Sequence, residues 1–379
     1  MSELVSVVMP VRNGGTYLQS AVDSILLQSH ANLELIIVDD HSDDGAVAKL
    51  ALSDSRVKLL KSAGSGVAST FNEGVKHSRG SFIARMDADD LALPLRLQLQ
   101  LEYFQHNPGV DIVSCCVEFF SSEPIFGGLE RYQKWLNSVR SPHEIHQQMF
   151  IESPMPNPGA VFRRSALEQL GGYRKMPWPE DYDLYLRADA AGIQMGKPEP
   201  VLLRWREHQQ RITHTDAVYT REQFMRAKAH FLVNYRLPEL SKQPPPILEK
   251  QYRPLPAKSK QYELQQDELQ KDELQQDQPD GISPASRQAP IIWGAGPTGR
   301  LMHDLIVEQG GEVSGFIEVH PRRIGGQKRG LPVWPIEKAA EPDTPMVLVA
   351  VGAAGARKKI AAFMSQHNKK EGRDFLFVA

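Results

Sequence analysis

Three carboxylates stand within four residues at Asp87-Ala88-Asp89-Asp90, directly after a predicted strand. So many negative charges repel one another unless a cation or solvent compensates them. Carboxylate oxygens suit a hard divalent cation such as Mg²⁺ or Mn²⁺, which keeps waters and takes further oxygens from substrate phosphates. The cluster therefore indicates either a divalent-metal site or a solvated acidic turn, since acidic turns are common in proteins.

A second acidic cluster, Glu180-Asp181-Tyr182-Asp183, opens a segment of helical periodicity. Its apolar residues Leu184, Leu186 and Ala190 have the spacing of one helix face. Acids in the first turn of a helix are stabilised by the helix dipole and need no further purpose. Taken alone, this cluster is explained by the dipole.

A glycine-rich turn, Gly294-Ala-Gly296-Pro-Thr-Gly299, follows one predicted strand and opens a helix, and Glu318 stands near the end of the next strand. This is the context of a dinucleotide fingerprint, in which glycines let phosphates approach the helix N-terminus closely. NAD(P) binding is therefore one interpretation. Degenerate nucleotide binding or a purely structural role fits equally well, and the segment contains no identifiable residues for hydride transfer.

The elements that must position these residues alternate along the first half of the chain. Apolar periodicity predicts strands at residues 5–10, 35–38, 57–60 and 81–86, and helices at residues 17–28, 46–52 and 67–77. Such alternation predicts an α/β fold with a largely parallel sheet and helices on both faces. Asp40 and Asp87 both fall at strand carboxyl ends, where such sheets bind ligands. Beyond them we predict a helix at residues 94–107 and a strand at residues 110–117.

The chain is long for one hydrophobic core and changes character along its length, which predicts two domains and a linker. We assign residues 1–240 to a first domain and residues 289–379 to a small Rossmann-like α/β domain. Residues 241–288 contain a triple proline and a five-residue repeat that cannot form one helical apolar stripe. This segment is predicted to be a disordered or partly helical linker.

The composition excludes several classes of protein. Hydrophobic residues at 41% and charged residues at 24% are ordinary for a soluble globular protein, and a formal charge of -2 gives no field that would attract nucleic acid. Cys115 and Cys116 are adjacent and too few for a disulfide framework. Neither a secretory signal nor a membrane-spanning run is predicted. We expect a cytoplasmic protein, either free or in peripheral contact with the inner face of a membrane.

Six motifs occur in order along the first domain. The first three, at the ends of predicted strands, are Pro10-Val11-Arg12-Asn13, Val38-Asp39-Asp40-His41-Ser42-Asp43-Asp44-Gly45 and Arg85-Met86-Asp87-Ala88-Asp89-Asp90. The others are Asn157-Pro158-Gly159-Ala160, Gly171-Gly172-Tyr173-Arg174 and Glu180-Asp181-Tyr182-Asp183-Leu184. Together they resemble the family 2 glycosyltransferases, which have the type A nucleotide-diphospho-sugar transferase fold. The resemblance covers roughly residues 4–215.

The resemblance implies a nucleotide-sugar site and assigns residues to it. Asp40 would recognise the nucleotide base. The same pocket would be lined by Pro10, Arg12 and Asn13. Asp89 would be the main protein ligand of Mn²⁺ or Mg²⁺, whose remaining positions are filled by diphosphate oxygens and water. Asp87 would contact the ribose or the metal.

The resemblance also makes Asp181 the catalytic base. The acceptor hydroxyl must lose a proton as it attacks the anomeric carbon, while the metal neutralises the leaving diphosphate. Attack from the opposite face implies inversion of the anomeric configuration. Arg206 and His208 belong to a basic stretch of the sort that relatives place as a loop over the diphosphate. An exposed strand and loop fits that stretch equally well.

Three functions compete. The first is an inverting, metal-dependent, hexosyltransferase-like enzyme that moves a sugar from a nucleoside-diphosphate donor to a hydroxyl of a glycan or lipid-linked acceptor, in polysaccharide or other glycan biosynthesis. The second is an oxidoreductase centred on residues 294–299, which would show NAD(P)H-dependent absorbance changes. The third is a non-catalytic nucleotide-sugar-binding protein, against which Asp181 argues. His143 and His146 have no third ligand nearby, so no zinc site is predicted.

Overall fold

A computed structural model describes residues 3–122, 124–125, 127–240, 288–353 and 355–379. We call residues 3–240 the N-terminal unit and residues 288–379 the C-terminal unit. The predicted linker, residues 241–288, lies outside the described residues except for Gln288. No helix within the described ranges is both long enough and apolar enough to cross a lipid bilayer.

The strands of the N-terminal unit are β1 (Val5–Val11), β2 (Leu33–Asp39), β3 (Val57–Lys61), β4 (Phe82–Arg85), β5 (Leu91–Ala92), β6 (Val110–Val113), β7 (Cys116–Phe120), β8 (Val161–Arg163), β9 (Gln194–Gly196) and β10 (Val201–Arg206). Those of the C-terminal unit are β11 (Ile291–Trp293), β12 (Gly315–Ile317), β13 (Gln327–Lys328), β14 (Leu331–Trp334), β15 (Val347–Val349) and β16 (Phe375–Phe377).

The α-helices are α1 (Leu18–Leu26), α2 (Val67–Lys76), α3 (Arg96–His106), α4 (Gly127–Ser138), α5 (Pro142–Gln148), α6 (Arg164–Gln169), α7 (Glu180–Ala190), α8 (Ile212–Thr215), α9 (Arg221–Phe231), α10 (Leu237–Leu240), α11 (Pro297–Glu308) and α12 (Ala356–Gln366). Short 3-10 turns occur at Gly15–Tyr17, Val47–Lys49, Asn157–Gly159, Ala217–Tyr219 and Ile336–Ala340, and a π-helical turn at Leu232–Arg236. The helices predicted at residues 17–28, 67–77 and 94–107 are confirmed to within a few residues.

The main sheet of the N-terminal unit has seven strands in the order β3-β2-β1-β4-β8-β6-β9. β1 runs parallel to both β2 and β4, and β2 runs parallel to β3, which confirms the predicted βαβα series. β8 is antiparallel to its neighbours β4 and β6, and β6 is parallel to β9, so the sheet is largely parallel, as predicted, with one antiparallel strand. Because β2 and β4 flank β1 on opposite sides, a crevice opens at the carboxyl ends of these three strands.

The strands β1, β2 and β4 are buried on both faces, which is why they read as continuous apolar runs, whereas the edge strand β3 is partly exposed. Along β1, Val8 belongs to one hydrophobic cluster, whereas Val7 and Met9 belong to another. Successive side chains of a strand point to opposite faces, so one strand supplies two cores. The main sheet is thereby held rigidly beneath the crevice.

The helix predicted at residues 46–52 is wrong, because only a three-residue 3-10 turn forms there. Apart from this turn, backbone groups of the segment pair with side chains outside it. The backbone N–H of Ala46 donates to Asp44 Oδ1, and that of Ala51 donates to Gln19 Oε1. Local side-chain acceptors of this kind compete with helix formation.

The single strand predicted at residues 110–117 is also wrong. The chain breaks at Ser114 and Cys115 into β6 and β7, which belong to different sheets. The hydroxyl of Ser114 donates to the carbonyl of Pro156 and its N–H donates to the carbonyl of Gly196. β7 then joins β10 and β5 in a small three-stranded sheet, which brings β10 beside residues 87–90.

The C-terminal unit contains one sheet in the order β13-β14-β12-β11-β15-β16. β14, β12, β11, β15 and β16 are parallel, and β13 pairs antiparallel with β14. The predicted helix after the glycine-rich turn is confirmed as α11. β12 and β15 flank β11 on opposite sides, so the turn after β11 lies at a switch point like that of β1.

The two units share a hydrophobic cluster through α9. Met225 and Phe231 of α9 belong to the same cluster as Met302 and Ile306 of α11. The buried ammonium of Lys228 donates to the carbonyl of Ile151 at 2.7 Å. The helix α9 is therefore packed between the N-terminal unit and α11 of the C-terminal unit.

Candidate active site

The residues predicted to bind a nucleotide sugar converge at the carboxyl ends of β1, β2 and β4. Asp40 follows β2, residues 87–90 follow β4, and α7 begins with Glu180 and Asp181 beside them. β10 brings Arg206 and His208 to the same edge, more than a hundred residues along the chain from Asp89. The crevice thus collects every predicted site residue of the N-terminal unit, whereas residues 294–299 and Glu318 belong to the other sheet.

Asp40 is buried and leaves one oxygen unpaired. It is 4% exposed, its Oδ2 accepts the backbone N–H of Gly66 at 2.9 Å, and its Oδ1 has no hydrogen-bond partner. The side chain of Arg12 is exposed, and its Nη1 lies 4.0 Å from Oδ2 of Asp40. An unsatisfied buried acceptor is costly, so Oδ1 is prepared to accept a donor from a bound molecule.

The loop after β1 is fastened to the loop after β2. Asn13 has a left-handed backbone with φ of 56°, a conformation that asparagine tolerates better than most residues. Its side-chain oxygen accepts the N–H of Asp43, and its own N–H donates to Ser42 Oγ. Asn13 therefore shapes the crevice, next to exposed Arg12 in the same loop and half-buried Pro10 near the end of β1.

Asp87 and Asp89 have different partners. Asp87 Oδ1 accepts a hydrogen bond from Nε of Arg85 at 3.0 Å, and Nη2 of the same guanidinium lies 3.0 Å away. Asp89 Oδ2 lies 2.9 Å from Nε2 of His208. Because a buried guanidinium already neutralises Asp87, Asp89 is the acid more available to a cation.

Asp90 is the buried member of the acidic cluster. Its Oδ1 accepts the backbone N–H of Arg206 at 2.8 Å, and its Oδ2 has no partner. Burial, together with the charges of Asp89 and Asp87, raises the pKa of Asp90 well above its usual range. Asp90 therefore ties β10 to the acidic turn and is a poor candidate for an ionised metal ligand.

Arg206 is the last residue of β10, so the predicted basic loop begins only after it. Its Nε donates to the backbone carbonyl of Asp89 at 2.6 Å. Its guanidinium lies over the rings of Tyr17 and Phe120, at 4.1 and 4.4 Å from the ring centroids. These contacts hold a positive charge beside the acidic turn, where a diphosphate would need one.

The donors around Asp89 fit Mn²⁺ or Mg²⁺ bound together with a substrate. Asp89 offers a carboxylate oxygen and His208 an imidazole nitrogen, and both side chains are partly exposed. Among the residues described, no three His, Cys, Asp or Glu side chains converge so as to hold an ion alone. Such a set suits a cation that completes its coordination with phosphate oxygens and water.

Asp181 lies in the first turn of α7, as predicted. Its Oδ1 accepts the N–H of Tyr182 at 2.7 Å. Burial, and then the negative charge of Glu180, raise the pKa of Asp181 to about 7. A carboxyl group that titrates near neutral pH is well matched to take a proton from a hydroxyl.

Four residues around this site were not identified as site residues from the sequence, namely Arg85, Tyr173, Tyr185 and Tyr219. Glu180 accepts a 2.7 Å hydrogen bond from the hydroxyl of Tyr219, which lies 39 residues further on. The hydroxyls of Tyr173 and Tyr185 both donate to Asn157 Oδ1, within the Asn157-Pro158-Gly159 motif. One feature of the sequence indicated Arg85, because an arginine at the end of an apolar strand needs a reason to be buried. No sequence pattern indicated Tyr219 or Tyr185.

The glycine-rich turn at residues 294–299 is explained by packing within the protein itself. A Cβ at Gly299 would stand 1.7 Å from the carbonyl oxygen of Gly294, so this glycine is required by the turn itself. Glu318 accepts from Arg323 at 2.9 Å, and Thr298 Oγ1 accepts from Arg221. No buried side-chain nitrogen or oxygen of this turn or of Glu318 lacks a partner. The NAD(P) interpretation, with Gly296 as its second glycine, therefore gains no support.

The two histidines considered for zinc are also accounted for. His146 Nδ1 lies 2.6 Å from Asp189 Oδ1, and its Nε2 lies 2.9 Å from Nη2 of Arg236. The ring therefore has a partner at each nitrogen. His143 lies one helical turn away on α5 and the two are not part of any metal-binding group among the described residues.

The chain is similar to known glycosyltransferases. The model of glycosyl transferase family 2 matches residues 6–171. The putative glycosyltransferase EpsE of Bacillus subtilis is 31% identical over 211 residues, which cover 54% of this chain and 73% of EpsE. The O-antigen biosynthesis glycosyltransferase WbnJ of Escherichia coli is 28% identical over 214 residues, covering 54% of this chain and 80% of WbnJ.

Among solved structures, residues 1–349 of S. aureus TarS in complex with UDP-GlcNAc match with a TM-score of 0.48 and 16% identity, covering 61% of this chain and 67% of that one. The mannosyltransferase PcManGT of Pyrobaculum calidifontis, in complex with GDP-Man and Mn²⁺, matches with a TM-score of 0.43 and 22% identity, covering 60% of this chain and 61% of that one. EpsE, at 31% identity over most of its own length, and the family match over residues 6–171 show that the chain belongs to glycosyltransferase family 2.

Proposed function

We propose that the protein is an inverting, metal-dependent glycosyltransferase that moves a sugar from a nucleoside-diphosphate donor to a hydroxyl acceptor. The observation that carries the proposal is the division of three acids along one crevice. Asp40 keeps an unpaired buried oxygen, Asp89 is partly exposed beside His208, and Asp181 has a pKa near 7. Each environment suits a different task.

Asp40 would read the nucleotide base. Its Oδ1 is the acceptor for an N–H of the base, and Gly66 holds the other oxygen in place. Pro10, Arg12 and Asn13 would form the neighbouring wall of this pocket. A buried acceptor rejects a base that presents no donor, so the contact supports selectivity as well as affinity.

Asp89 would hold the divalent cation, with His208 beside it and Asp87 as a secondary contact weakened by Arg85. When bound, Mn²⁺ or Mg²⁺ would neutralise the negative charge that develops on the diphosphate. Arg206 would add a fixed positive charge on the same side, since its guanidinium is held by Asp89 and two aromatic rings. Preorganised charge of this kind is most effective where water is excluded.

Asp181 would act as the base. Its Oδ2, the oxygen that does not accept the N–H of Tyr182, takes the proton of the acceptor hydroxyl. The hydroxyl oxygen forms a bond to the anomeric carbon as the bond from that carbon to the phosphate oxygen breaks, and the electron pair leaves with the diphosphate. Attack opposite the leaving group inverts the anomeric configuration.

The acceptor is proposed to be a glycan or a lipid-linked glycan in polysaccharide biosynthesis, in line with the O-antigen role in the name of WbnJ. A lipid-linked acceptor would bring the cytoplasmic protein into peripheral contact with a membrane. We further propose the domain division given above, 1–240, 241–288 and 289–379. The last is taken as a Rossmann-like accessory domain, which its order of parallel strands supports.

Substitution of Asp89 and of Asp181 separates binding from chemistry. Thermal unfolding with UDP, GDP or dTDP, with and without Mn²⁺, measures nucleotide binding. Release of nucleoside diphosphate from sugar nucleotides in the presence of glycan acceptors measures transfer. Asp89→Ala should remove the Mn²⁺-dependent stabilisation and the transfer. Asp181→Ala should keep nucleotide binding within about threefold and lower transfer by about 100-fold or more.

Asp43→Ala is the matched control, because Asp43 is an exposed acid in the loop after β2. It should leave both measurements unchanged within about twofold. Mn²⁺-dependent nucleotide binding or transfer that survives Asp89→Ala would contradict the metal assignment. Full transfer by Asp181→Ala would contradict the base.

A further inference from the structure

Arg85, the last residue of β4, is a charged side chain buried inside the crevice. It is only 4% exposed. Its guanidinium is held on one side by Asp87 and lies over the rings of Phe71 and Tyr173, at 5.6 and 5.5 Å from the centroids. The group is therefore fixed in position and always charged.

One end of this guanidinium has no partner. Nε and Nη2 face Asp87 Oδ1, whereas the buried Nη1 makes no hydrogen bond. Leaving a buried charged donor unpaired is costly, and buried polar groups in folded proteins are nearly always paired. Asp40 Oδ1 shows the same feature further along the crevice, at the place proposed for the base of the nucleotide.

Arg85 lies between Asp89, the proposed metal ligand, and Asp181, the proposed catalytic base. Its sequence neighbour Asp87 is paired with it, and Asp89 follows on the same turn. On the other side, the charges of Glu180 and Arg85 act on each other, and the positive charge of Arg85 favours ionisation of Asp181. The transferred sugar must lie between Asp89 and Asp181, because its anomeric carbon bonds to the diphosphate and is attacked by the hydroxyl that Asp181 deprotonates.

We propose that Nη1 of Arg85 donates a hydrogen bond to a hydroxyl of the donor sugar. This proposal rests on the function proposed above and adds that Arg85 recognises the sugar of the donor. The nucleotide is bound elsewhere, by Asp40 and the Asp89 side of the crevice. Arg85 therefore distinguishes a sugar nucleotide from the corresponding nucleoside diphosphate.

The surrounding charge also specifies the class of sugar. The guanidinium contacts the carboxylate of Asp87, and the charges of Glu180 and Asp181 also act on it, so acidic groups outnumber it. A uronic acid would add a further negative charge among them, at a cost that a single arginine cannot offset. The donor sugar is accordingly a neutral one, bound through a hydroxyl.

Arg85→Lys tests the contact, because lysine keeps the charge but lacks the planar fork. Binding is measured by calorimetry with Mn²⁺ for UDP against UDP-glucose and UDP-N-acetylglucosamine, and for GDP against GDP-mannose. The variant should bind the bare diphosphate within about twofold of wild type, and the accepted sugar nucleotide about tenfold or more weakly. The wild-type protein should bind UDP-glucuronic acid or GDP-mannuronic acid less tightly than the matching neutral donor.

Arg163→Lys is the control. Arg163 lies at the far end of the same pair of strands, and its guanidinium also lies over two aromatic rings, those of Phe82 and Phe104. This variant should leave both affinities unchanged. If Arg85→Lys does not fold, Phe71→Leu keeps the charge and removes one supporting ring. It should then weaken the sugar nucleotide selectively by a smaller factor.

An unchanged ratio of sugar-nucleotide to diphosphate affinity in Arg85→Lys, or in Phe71→Leu where only that variant folds, would overturn the role of Arg85. Tighter binding of the uronic acid donor would overturn the neutral-sugar assignment. Failure of the wild-type protein to bind any of these diphosphates with Mn²⁺ would instead refute the function proposed above. The outcomes are distinguishable because the last concerns the diphosphate alone.

Discussion

The main sheet of the N-terminal unit and the sheet of the C-terminal unit have the same kind of edge, but the polar groups at the two edges differ in their partners. In each sheet one strand, β1 or β11, has a parallel neighbour on each side, so the chain crosses to opposite sides of that strand. At the β1 edge, Asp40, Arg85 and Asp90 each retain a buried atom without a partner. At the β11 edge, Thr298 and Glu318 are paired within the protein.

The difference illustrates that the same topology can carry unpaired polar groups, on which we base the proposed ligand site, or, within the described residues, none. A protein tolerates unpaired buried donors and acceptors where a bound molecule completes them. The glycine-rich turn of the C-terminal unit needs no such explanation, because Gly294 has φ of +117° and Gly299 packs against its carbonyl. The same fingerprint can therefore record a packing requirement alone.

The largest expected effect concerns that packing. Gly299→Ala should destabilise the protein by about 3 kcal/mol or more, because the new Cβ would collide with a backbone carbonyl that cannot move freely. Gly296→Ala should cost within about 1 kcal/mol, since a Cβ there meets nothing within 4 Å. Urea unfolding of both variants measures the difference. A loss of nucleotide affinity in folded Gly296→Ala would break the comparison by showing that this turn binds phosphate.

An intermediate effect is expected from acids at the two edges. Asp40→Ala should weaken Mn²⁺-dependent binding of nucleoside diphosphate by about 10- to 100-fold, because a charged acceptor of the base is lost. Glu318→Ala, which removes the corresponding acid of the C-terminal sheet, should change this affinity by less than about twofold. Calorimetric titration of both variants measures the contrast. Equal losses would mean that both edges serve the nucleotide.

A smaller effect should appear in the pH dependence. Asp181 must be ionised to take a proton, so with its pKa near 7 the value of kcat/KM should fall as pH drops below 7. The charge of Glu180 raises that pKa, and Glu180→Gln should move the acidic limb to lower pH by about 0.5–1 unit. Glu168→Gln, at an exposed acid on α6, is the control. A limb that stays in place or moves upward would contradict the coupling.

Local signals in the sequence were sufficient for much of the fold and for the principal acids. β1, β2 and β4 were found because both of their faces are buried, which makes each of them an apolar run. Asp40, Asp89 and Asp181 were found because each belongs to a short motif at the end of a predictable element. Their relative positions follow from the parallel arrangement of the strands.

The remaining features depend on contacts between distant parts of the chain. His208 meets Asp89 across 119 residues, and Tyr219 meets Glu180 across 39. The break at Ser114 depends on the carbonyls of Pro156 and Gly196, which no local pattern near residue 114 reveals. The unpaired Nη1 of Arg85 could be recognised only once all of its neighbours were known.

The packing of α9 couples motion in the C-terminal unit to the acids of the crevice. This helix shares its apolar side chains with α11, and the turn just before it carries Tyr219, which is bonded to Glu180. A partial opening of the C-terminal unit would remove part of the packing of α9, which is also held by Tyr182 of α7, and would loosen the hydroxyl that restrains Glu180. The acid pair thus draws part of its rigidity from a unit that holds none of the predicted catalytic groups, and the cooperative unit that matters for the chemistry extends beyond the crevice.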